Sequence, residues 1–535
     1  MASRQANTLL RAVRRRSALL GFAIIVLFML IATVGAAFSP YSNGYSPTQF
    51  DVASPTALPG WMSFVPGYQN LPPNIVFPTT PGGQSFQSTS DAAAWQPSGS
   101  QPNLVQYSSN IGPTGMSPAA RAFQLVNTGP GSELINMSGD SNSTIELNFE
   151  HSFSYNYLPP GLFASQLAFD PKVVNGAGVE VLLYVRTSRG LYPTALEANF
   201  AGQTALEDGR SGSSYLNYFT NPIIPSLQND TWNYVSGVTT ATQLMPLYYL
   251  NSSIVSGLNV TSLSSTMFQG VKSYTLGEII QIFPKGQFSV QLYQSDLKYQ
   301  LFGRVYGLMG TDVNGADVWS EFARGAGVAL EIAFGSAAIT LAIGVLVGLV
   351  SGFFGGIVDG ALILVIDFLL LLPGLVLIVD LDTVFTLAHA VPNKVLLLIV
   401  IFGALGWPAL SRTIRSQVLS LRSRTYVVAA NAMGASRAYI LWKHILNHTS
   451  GTIIALTVFL IPGLLIVDVG VDYLGLGITQ APTWGNITAY LINDVSPANG
   501  YLWWIAVPLT ASIIVLSASF FLLGRSIQQE YSRVA

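Results

Sequence analysis

Cysteine is absent from the chain, which excludes a disulfide framework, a thiolate metal site and a cysteine nucleophile. Any exposed domain must therefore be held by its own core; the redox compartment stays open. Charge is scarce: Asp, Glu, Lys and Arg make up 9% of the residues and sum to a net charge of −2. A duplex binder needs a dense basic surface to displace condensed counterions, so nucleic acid is excluded as a partner. No Gly-Lys pair occurs anywhere. The phosphate-cradling Gly-x-x-x-x-Gly-Lys-Ser/Thr loop is thus missing, and the chain is expected to be no ATPase and to hold no cofactor. Its four histidines, His151, His389, His444 and His448, show no His-Glu-x-x-His spacing, and no Gly-x-Ser-x-Gly elbow is present. His444 and His448 stand one helical turn apart, but two histidines without a third ligand read as surface or packing residues, and no metal is expected.

What is abundant is apolar residue, 50% of the chain, with a mean hydropathy of +0.45. Crossing a hydrocarbon layer takes about 20 residues of helix. Six stretches qualify, near 18–38, 326–351, 357–380, 394–411, 451–471 and 501–523. The first has a competing reading as a secretory signal, because Arg11, Arg14, Arg15 and Arg16 precede a run ending in Gly35-Ala36-Ala37. Its length exceeds the apolar region of a signal peptide and favours a span.

Lys and Arg set the orientation. Five arginines lie in the N-terminal tail, six basic residues (Arg412, Arg415, Arg422, Arg424, Arg437, Lys443) lie between 412 and 443, and Arg525 and Arg533 lie at the C-terminal end. The positive-inside bias puts these in the cytoplasm, and six crossings give the same answer for both termini. The expected organisation is a cytoplasmic tail (1–17), a first membrane helix (18–38), an extracellular domain (39–325) and a five-helix core (326–535) with a cytoplasmic loop at 412–450. The fold class is thus an α-helical membrane protein with six transmembrane helices and a large, mainly β domain inserted between helices 1 and 2.

That inserted segment is rich in Ser, Thr, Asn, Tyr, Gly and Pro, with a Pro-rich lead-in at Ser46–Pro73. Alternating stretches at Ser143–Phe149, Val179–Val185 and Gln287–Leu292 read as strands, and the low-complexity patch 79–118 reads as loop. Sequons at Asn136, Asn142, Asn229, Asn251 and Asn259 fall in it, and Asn486 falls in the last outer loop. Their clustering on one expected side makes them glycosylation candidates.

Residues 426–446 carry the most specific local pattern. Helix formers run to Met433, Gly434 can adopt positive φ, and Ser436 can cap a second helix whose Ile440, Leu441 and His444 share a face. Two short helices joined at a glycine make a plug suited to a groove on another protein; an amphipathic helix lying on the surface is the plainer reading.

This segment resembles the "EAA" coupling loop of ABC importer permeases, with Ala429, Ala430, Gly434, Ala435, Ser436 and His444-Ile445-Leu446 matching in order and spacing. The surroundings resemble the second permease subunit of the dipeptide, oligopeptide and nickel class. They are Gly310-Thr-Asp-Val-Asn-Gly-Ala-Asp317, Gly352-Phe-Phe-Gly-Gly-Ile-Val-Asp359, Asp367 with Pro373, Gly406-Trp-Pro408 with Arg412 and Arg415, Leu474-Gly-Leu-Gly477, and Trp484-Gly-Asn486. The sequence departs from the pattern at Val428, where the namesake glutamate usually sits, at Asn447-His448 in place of Pro-Asn, and at Ala316 in place of arginine. The resemblance covers about 305–535 and the first helix, and leaves the inserted domain unaccounted for.

The resemblance implies a permease half in the cell membrane, paired with a second permease subunit and fed by an external solute-binding protein. Two cytoplasmic ATPase subunits would hold ATP and Mg²⁺ and dock on Tyr426, Ala429, Ala430, Gly434, Ala435, Ser436 and His444. Peptides, oligosaccharides and nickel all fit as solutes. Asp367, Pro373 and Asp468 are expected in the path or at helix interfaces, since carboxylates in a membrane helix are costly unless paired or wet. Glu331 is expected at a helix end. A membrane-tethered receptor or adhesion module is a rival reading, as is a proton-driven transporter working through Asp367 and Asp468.

Overall fold

The computed structural model describes residues 15–38, 52–77, 95–99, 105–109, 111–112, 132–160, 162–188, 190–199, 230, 232–240, 268, 270, 272–388, 393–478, 481–493 and 502–534. They fall into two units, Met1–Pro47 with Val318–Ala535, and Thr48–Asp317. Sequons Asn229, Asn251 and Asn259 and His389 lie outside the described residues.

The first unit is helical. Its elements are α1 (Arg16–Gly35), α2 (Val318–Phe354), α3 (Gly356–Leu371), α4 (Gly374–Leu387), α5 (Lys394–Arg422), α6 (Thr425–Ala432), α7 (Arg437–Tyr473), α8 (Trp484–Asn493) and α9 (Trp503–Val534). Five of these, α1, α2, α5, α7 and α9, are long and apolar enough to cross a membrane. The stretch expected as one straight span at 357–380 is instead α3 and α4, bent by 87°. The cause is Pro373: it has no N–H to donate, and it pushes the preceding Leu372 to φ −72°, ψ 139°, which ends a helix. The expected loop 412–450 is also mostly helix, since α5 runs unbroken to Arg422 and α7 begins at Arg437.

Helices α2 and α5 meet along a seam of small residues. A Cβ at Gly344, Gly348 or Gly352 would come within 2.7–2.9 Å of Leu410, Ile414 or Val418, the close backbone approach that helix pairs in lipid exploit. The N-terminal end of α1 is tied to α9 by the Arg15–Glu530 ion pair and by the Ser17 and Ser526 hydroxyls, 3.0 Å apart.

The second unit is built on strands β1 (Leu58–Pro59), β2 (Ile75–Phe77), β3 (Gln96–Gly99), β4 (Val105–Ser108), β5 (Ser132–Ser141), β6 (Ile145–Ser154), β7 (Leu162–Thr187), β8 (Gly190–Asn199), β9 (Asn233–Thr240), β10 (Ser273–Phe302) and β11 (Val305–Tyr306). The long strands β7 and β10 pair antiparallel from Tyr274↔Thr187 to Phe302↔Leu162, with register breaks that let them bend. β10 also pairs with β6 along its first half and with β5 and then β2 along its second. The three stretches read as strands in the sequence fall in β6, β7 and β10.

The patch 79–118, expected as loop, contributes β3 and β4 where it is described. Both are outermost strands, on β6 and β5 respectively. An edge position tolerates Pro97, whose missing N–H removes one outward ladder bond. Core-facing side chains of this unit form one apolar cluster around Trp95, Phe149, Phe163, Leu183, Tyr274, Ile280 and Leu292.

Candidate functional site

The segment between α5 and α7 is a helix, a glycine turn and a second helix. At the end of α6, Ala435 N donates to Ala430 O at 3.1 Å and Gly434 N to Asn431 O at 3.0 Å. This is the paired closure in which a left-handed residue ends a helix, and Gly434 supplies it with φ +84°. A Cβ at Gly434 would meet nothing within 4 Å, so the position demands glycine for its backbone and not for space. Ser436 then caps α7, its hydroxyl accepting from Tyr439 N at 3.3 Å. The first full turn of α7, Ile440–Ile445, is wound as a π-helix.

One side of this hairpin is anchored. Val427, Ala430, Ile440, Leu441 and Ile445 are buried against Leu349, Leu410, Ile414 and Val418 of α2 and α5, and Ala435 packs on the same cluster. The other side is open: Met433 is 82% exposed, Trp442 66%, Val428 56% and Tyr439 52%. Tyr426 stacks on His448 at 5.0 Å, and His444 lies half-buried between Tyr426 (6.2 Å) and Tyr439 (5.7 Å). The His448 ring nitrogen Nδ1 is 2.8 Å from the His444 carbonyl. Among the described residues no three His, Asp or Glu side chains converge as a metal site.

Of the coupling residues named from the sequence, Tyr426, Ala429 and Ser436 are exposed, Ala430 is buried as an anchor, and Gly434 and Ala435 make the turn. The sequence reading missed Met433 and Trp442, the most exposed apolar side chains here. A signal was available for Met433, which breaks the alanine-rich texture with a large apolar group beside the glycine turn, but not for Trp442, which stands in an apolar run.

The hairpin's base is stiffened by an ion pair. Arg415 Nε and Nη2 donate to the two oxygens of Asp359 at 2.6 and 2.7 Å, and Ser351 Oγ donates to the same carboxylate. Arg422 Nη1 reaches Gly352 O at 3.4 Å. The turn 352–359 and the arginines of α5, separate motifs in sequence, are thus one contact. Fork-on-fork geometry fixes orientation as well as distance.

The carboxylates of the membrane helices differ in exposure. Asp468 is 2% exposed, next to Asp382 and Asp472 at 1% each, inside the helix packing. Asp472 Oδ1 accepts from Ile478 N at 3.0 Å, and Asp382 accepts from Lys394 Nζ at 2.7 Å. The family glycines close on Asp472: a Cβ at Gly477 would lie 1.4 Å from its Oδ1, and one at Gly485 2.2 Å from its Cβ. Asp367 is partly open, 3.5 Å from Arg412. Glu331 corrects the helix-end expectation, because α2 begins at Val318 and leaves Glu331 thirteen residues inside it, with an exposed side chain.

Trp484 locks the turn after α7: its Nε1 donates to Phe322 O at 3.0 Å and its ring stacks on Phe322 at 5.5 Å. The Asn486 Nδ2, which a glycan would need, donates to Ile478 O at 2.7 Å, whereas Asn136 and Asn142 are exposed.

Residues 344–533 match the family described as "Binding-protein-dependent transport system inner membrane component". That domain, with the relatives below, supports an ABC importer permease of the dipeptide/oligopeptide class. It is 32% identical over 197 residues to the oligopeptide transport system permease protein OppC of Bacillus subtilis, covering 36% of this chain and 61% of that protein. It is 31% identical over 223 residues to the dipeptide transport system permease protein DppC of the same organism, covering 41% and 66%. It is 29% identical over 225 residues to DppC of Lactococcus lactis, covering 42% and 63%. The chain spans about three fifths of the length of the curated relatives it matches.

Proposed function

We propose that the chain forms one side of a peptide translocation path, with a second permease subunit forming the other. Two separate cytoplasmic ATPase subunits carry ATP and Mg²⁺ and supply the drive, and an external solute-binding protein supplies solute. The observation that carries this reading is the 425–446 hairpin, anchored on one side in α2 and α5 and presenting Met433, Tyr439 and Trp442 on the other. A rigid knob with an apolar face is what a motor subunit needs to push helices between outward- and inward-open arrangements. Peptides are preferred over oligosaccharides and nickel because the relatives are described as peptide permeases.

Both termini are assigned to the cytoplasm and residues 39–325 to the outside. The basic N-terminal tail and the basic end of α9 require an even number of crossings, so the bent pair α3–α4 counts as one and the total is six. The outer β unit serves to orient the solute-binding protein. A receptor module needs no anchored knob, and a proton-driven carrier would work without ATPase partners.

The test is Gly434→Val in the assembled complex in vesicles. A β-branched residue at positive φ costs about 1–2 kcal/mol locally and disturbs the turn while touching no span. The expected outcome is normal insertion, retained ATP hydrolysis and loss of uptake, with Gly434→Asn milder because asparagine tolerates that conformation. Uptake at the wild-type level by Gly434→Val would sink the assignment.

A further inference from the structure

Exposed large apolar side chains are not scattered over the β unit. Among its residues of described burial they are Trp61, Phe64, Tyr68, Tyr157, Leu158 and Leu308, with Phe64 84% exposed and Leu308 59%. Backbone contacts join the three segments that bear them. Gly60 N donates to Gly307 O at 2.8 Å, Trp61 Nε1 to Leu308 O at 3.1 Å, and Leu158 N to Asn70 O at 3.0 Å. A single 3₁₀ turn, Gly60–Phe64, presents Trp61 and Phe64, and the β1–β11 pair behind it holds that turn against Leu308.

The segments that bear them are poor in charge. Residues 52–77, 152–160 and 305–311 contain no Asp, Glu, Lys, Arg or His, and the exposed charges bonded to them through the backbone are basic, Arg304 to Leu58 and Pro72 and Lys272 to Tyr155. Elsewhere the unit carries charged exposed positions such as Asp140 and Arg186.

We propose that this aromatic foot is a membrane-interface anchor, with Trp61, Phe64 and Leu308 seated at the boundary between lipid headgroups and acyl chains. Three observations select lipid over a protein partner. First, six side chains are far fewer than the roughly 20–30 residues a side that a stable protein interface uses. Second, protein interfaces are framed by a polar rim with charges of both signs, while a segment at the headgroup boundary favours Trp, Tyr, Phe and Leu flanked by Lys and Arg. Third, only nine residues separate Leu308 from Val318, where the membrane helix α2 begins. A bilayer that is covalently close at all times can be held by weak contacts, because the effective concentration is high. The indole N–H of Trp61 is already satisfied by Leu308 O, so the ring can enter an apolar layer without stranding a donor.

The absence of cysteine makes the test direct. Phe64→Cys and Leu308→Cys in the full chain are labelled with bimane and reconstituted in vesicles of phosphatidylcholine and phosphatidylglycerol. Asp140→Cys, on an exposed stretch of β5, serves as the aqueous control, and Leu364→Cys, 71% exposed on α3, as the lipid control. Phosphatidylcholine bearing a nitroxide high on its acyl chain should quench the probes at 64 and 308 as it quenches 364, and leave 140 bright. Iodide should quench 140 and spare 64 and 308. Iodide quenching at 64 equal to that at 140 would overturn the proposal, and so would protection of 64 from both quenchers, which would mean a protein covers the foot.

Discussion

In the helical unit Asp472 is wrapped by backbone, with Ile478 N on its Oδ1 and Gly477 and Gly485 lying where any side chain would strike it. Asp359 is gripped there by Arg415 and Asp382 by Lys394. In the β unit Glu278 is fully buried on the face of β10 shared by Leu276 and Ile280, opposite Phe149, and neither of its carboxyl oxygens has a partner among the described residues. Its neighbour Glu133 has one, Gln294 Nε2 at 2.7 Å. Burial raises both groups, Glu133 to about 8 and Glu278 well above the ordinary carboxylate range with Glu133 adding to the rise. A carboxylate met by donors makes a demand on geometry. A carboxyl left among apolar side chains demands its proton instead, and so makes a demand on pH.

The strongest way to break the first half of that contrast is Gly477→Ala. The new Cβ overlaps the Asp472 carboxylate outright, and a clash of that kind is expected to cost about 3–5 kcal/mol, enough to empty a marginal folded state. Folded, monodisperse protein after solubilisation should be nearly lost, and Asp472→Ala added to it should recover part. No recovery in the double variant would mean that the turn, and not the carboxylate, needs the glycine.

The second half is sharpened by pH. Each carboxyl binds its proton more tightly folded than unfolded, so the folded state holds more protons in the window between the two affinities. Stability is then full below the ordinary carboxyl range, near 4.5, and falls as pH rises, ending for Glu133 at about 8 and continuing further for Glu278. The slope is about 1.4 kcal/mol per pH unit per group at most. Thermal unfolding of the solubilised chain, followed by tryptophan emission from a core that includes Trp95, should shift downward from pH 5 to pH 8. Glu278→Gln, a neutral mimic of the protonated acid, should flatten that dependence and raise the midpoint at pH 8. An unchanged slope in Glu278→Gln and Glu133→Gln would show that these groups are ionised and paired.

The contrast also explains what could be read in the sequence. Five membrane-length helices were legible because hydrocarbon imposes length and apolarity on each one separately, whereas the stretch 357–380 hid its bend at Pro373. The Gly434 turn and the Ser436 cap were legible because both are local. Asp359–Arg415 was not, since 56 residues separate the partners and only packing of the turn 352–359 on α5 joins them. The length of β7 and β10 was hidden for a different reason. A run such as Phe163–Phe169 is buried on both faces, so it lacks the alternation that marks a half-buried strand. Glu278 carried no warning at all, because a lone acid in an apolar strand reads as an exposed position until its opposite neighbour is known to be Phe149.

The smallest effects come from two carboxylates of the membrane helices that differ in exposure. Asp468 is buried and its Oδ1 lacks a partner among the described residues, while Glu331 is exposed within α2. Asp468→Asn keeps the volume and adds two N–H donors to a dry site, so it should move the unfolding midpoint of the solubilised subunit by the equivalent of about 1 kcal/mol in either direction. Uptake should change only with the amount of folded complex. Glu331→Gln removes a charge from an open face without disturbing packing, so the midpoint should stay put while uptake per folded complex changes. Normalising uptake to folded complex separates the two. If Glu331→Gln moves the midpoint and Asp468→Asn alters uptake per complex, the path runs through the buried acid and the division by exposure is wrong.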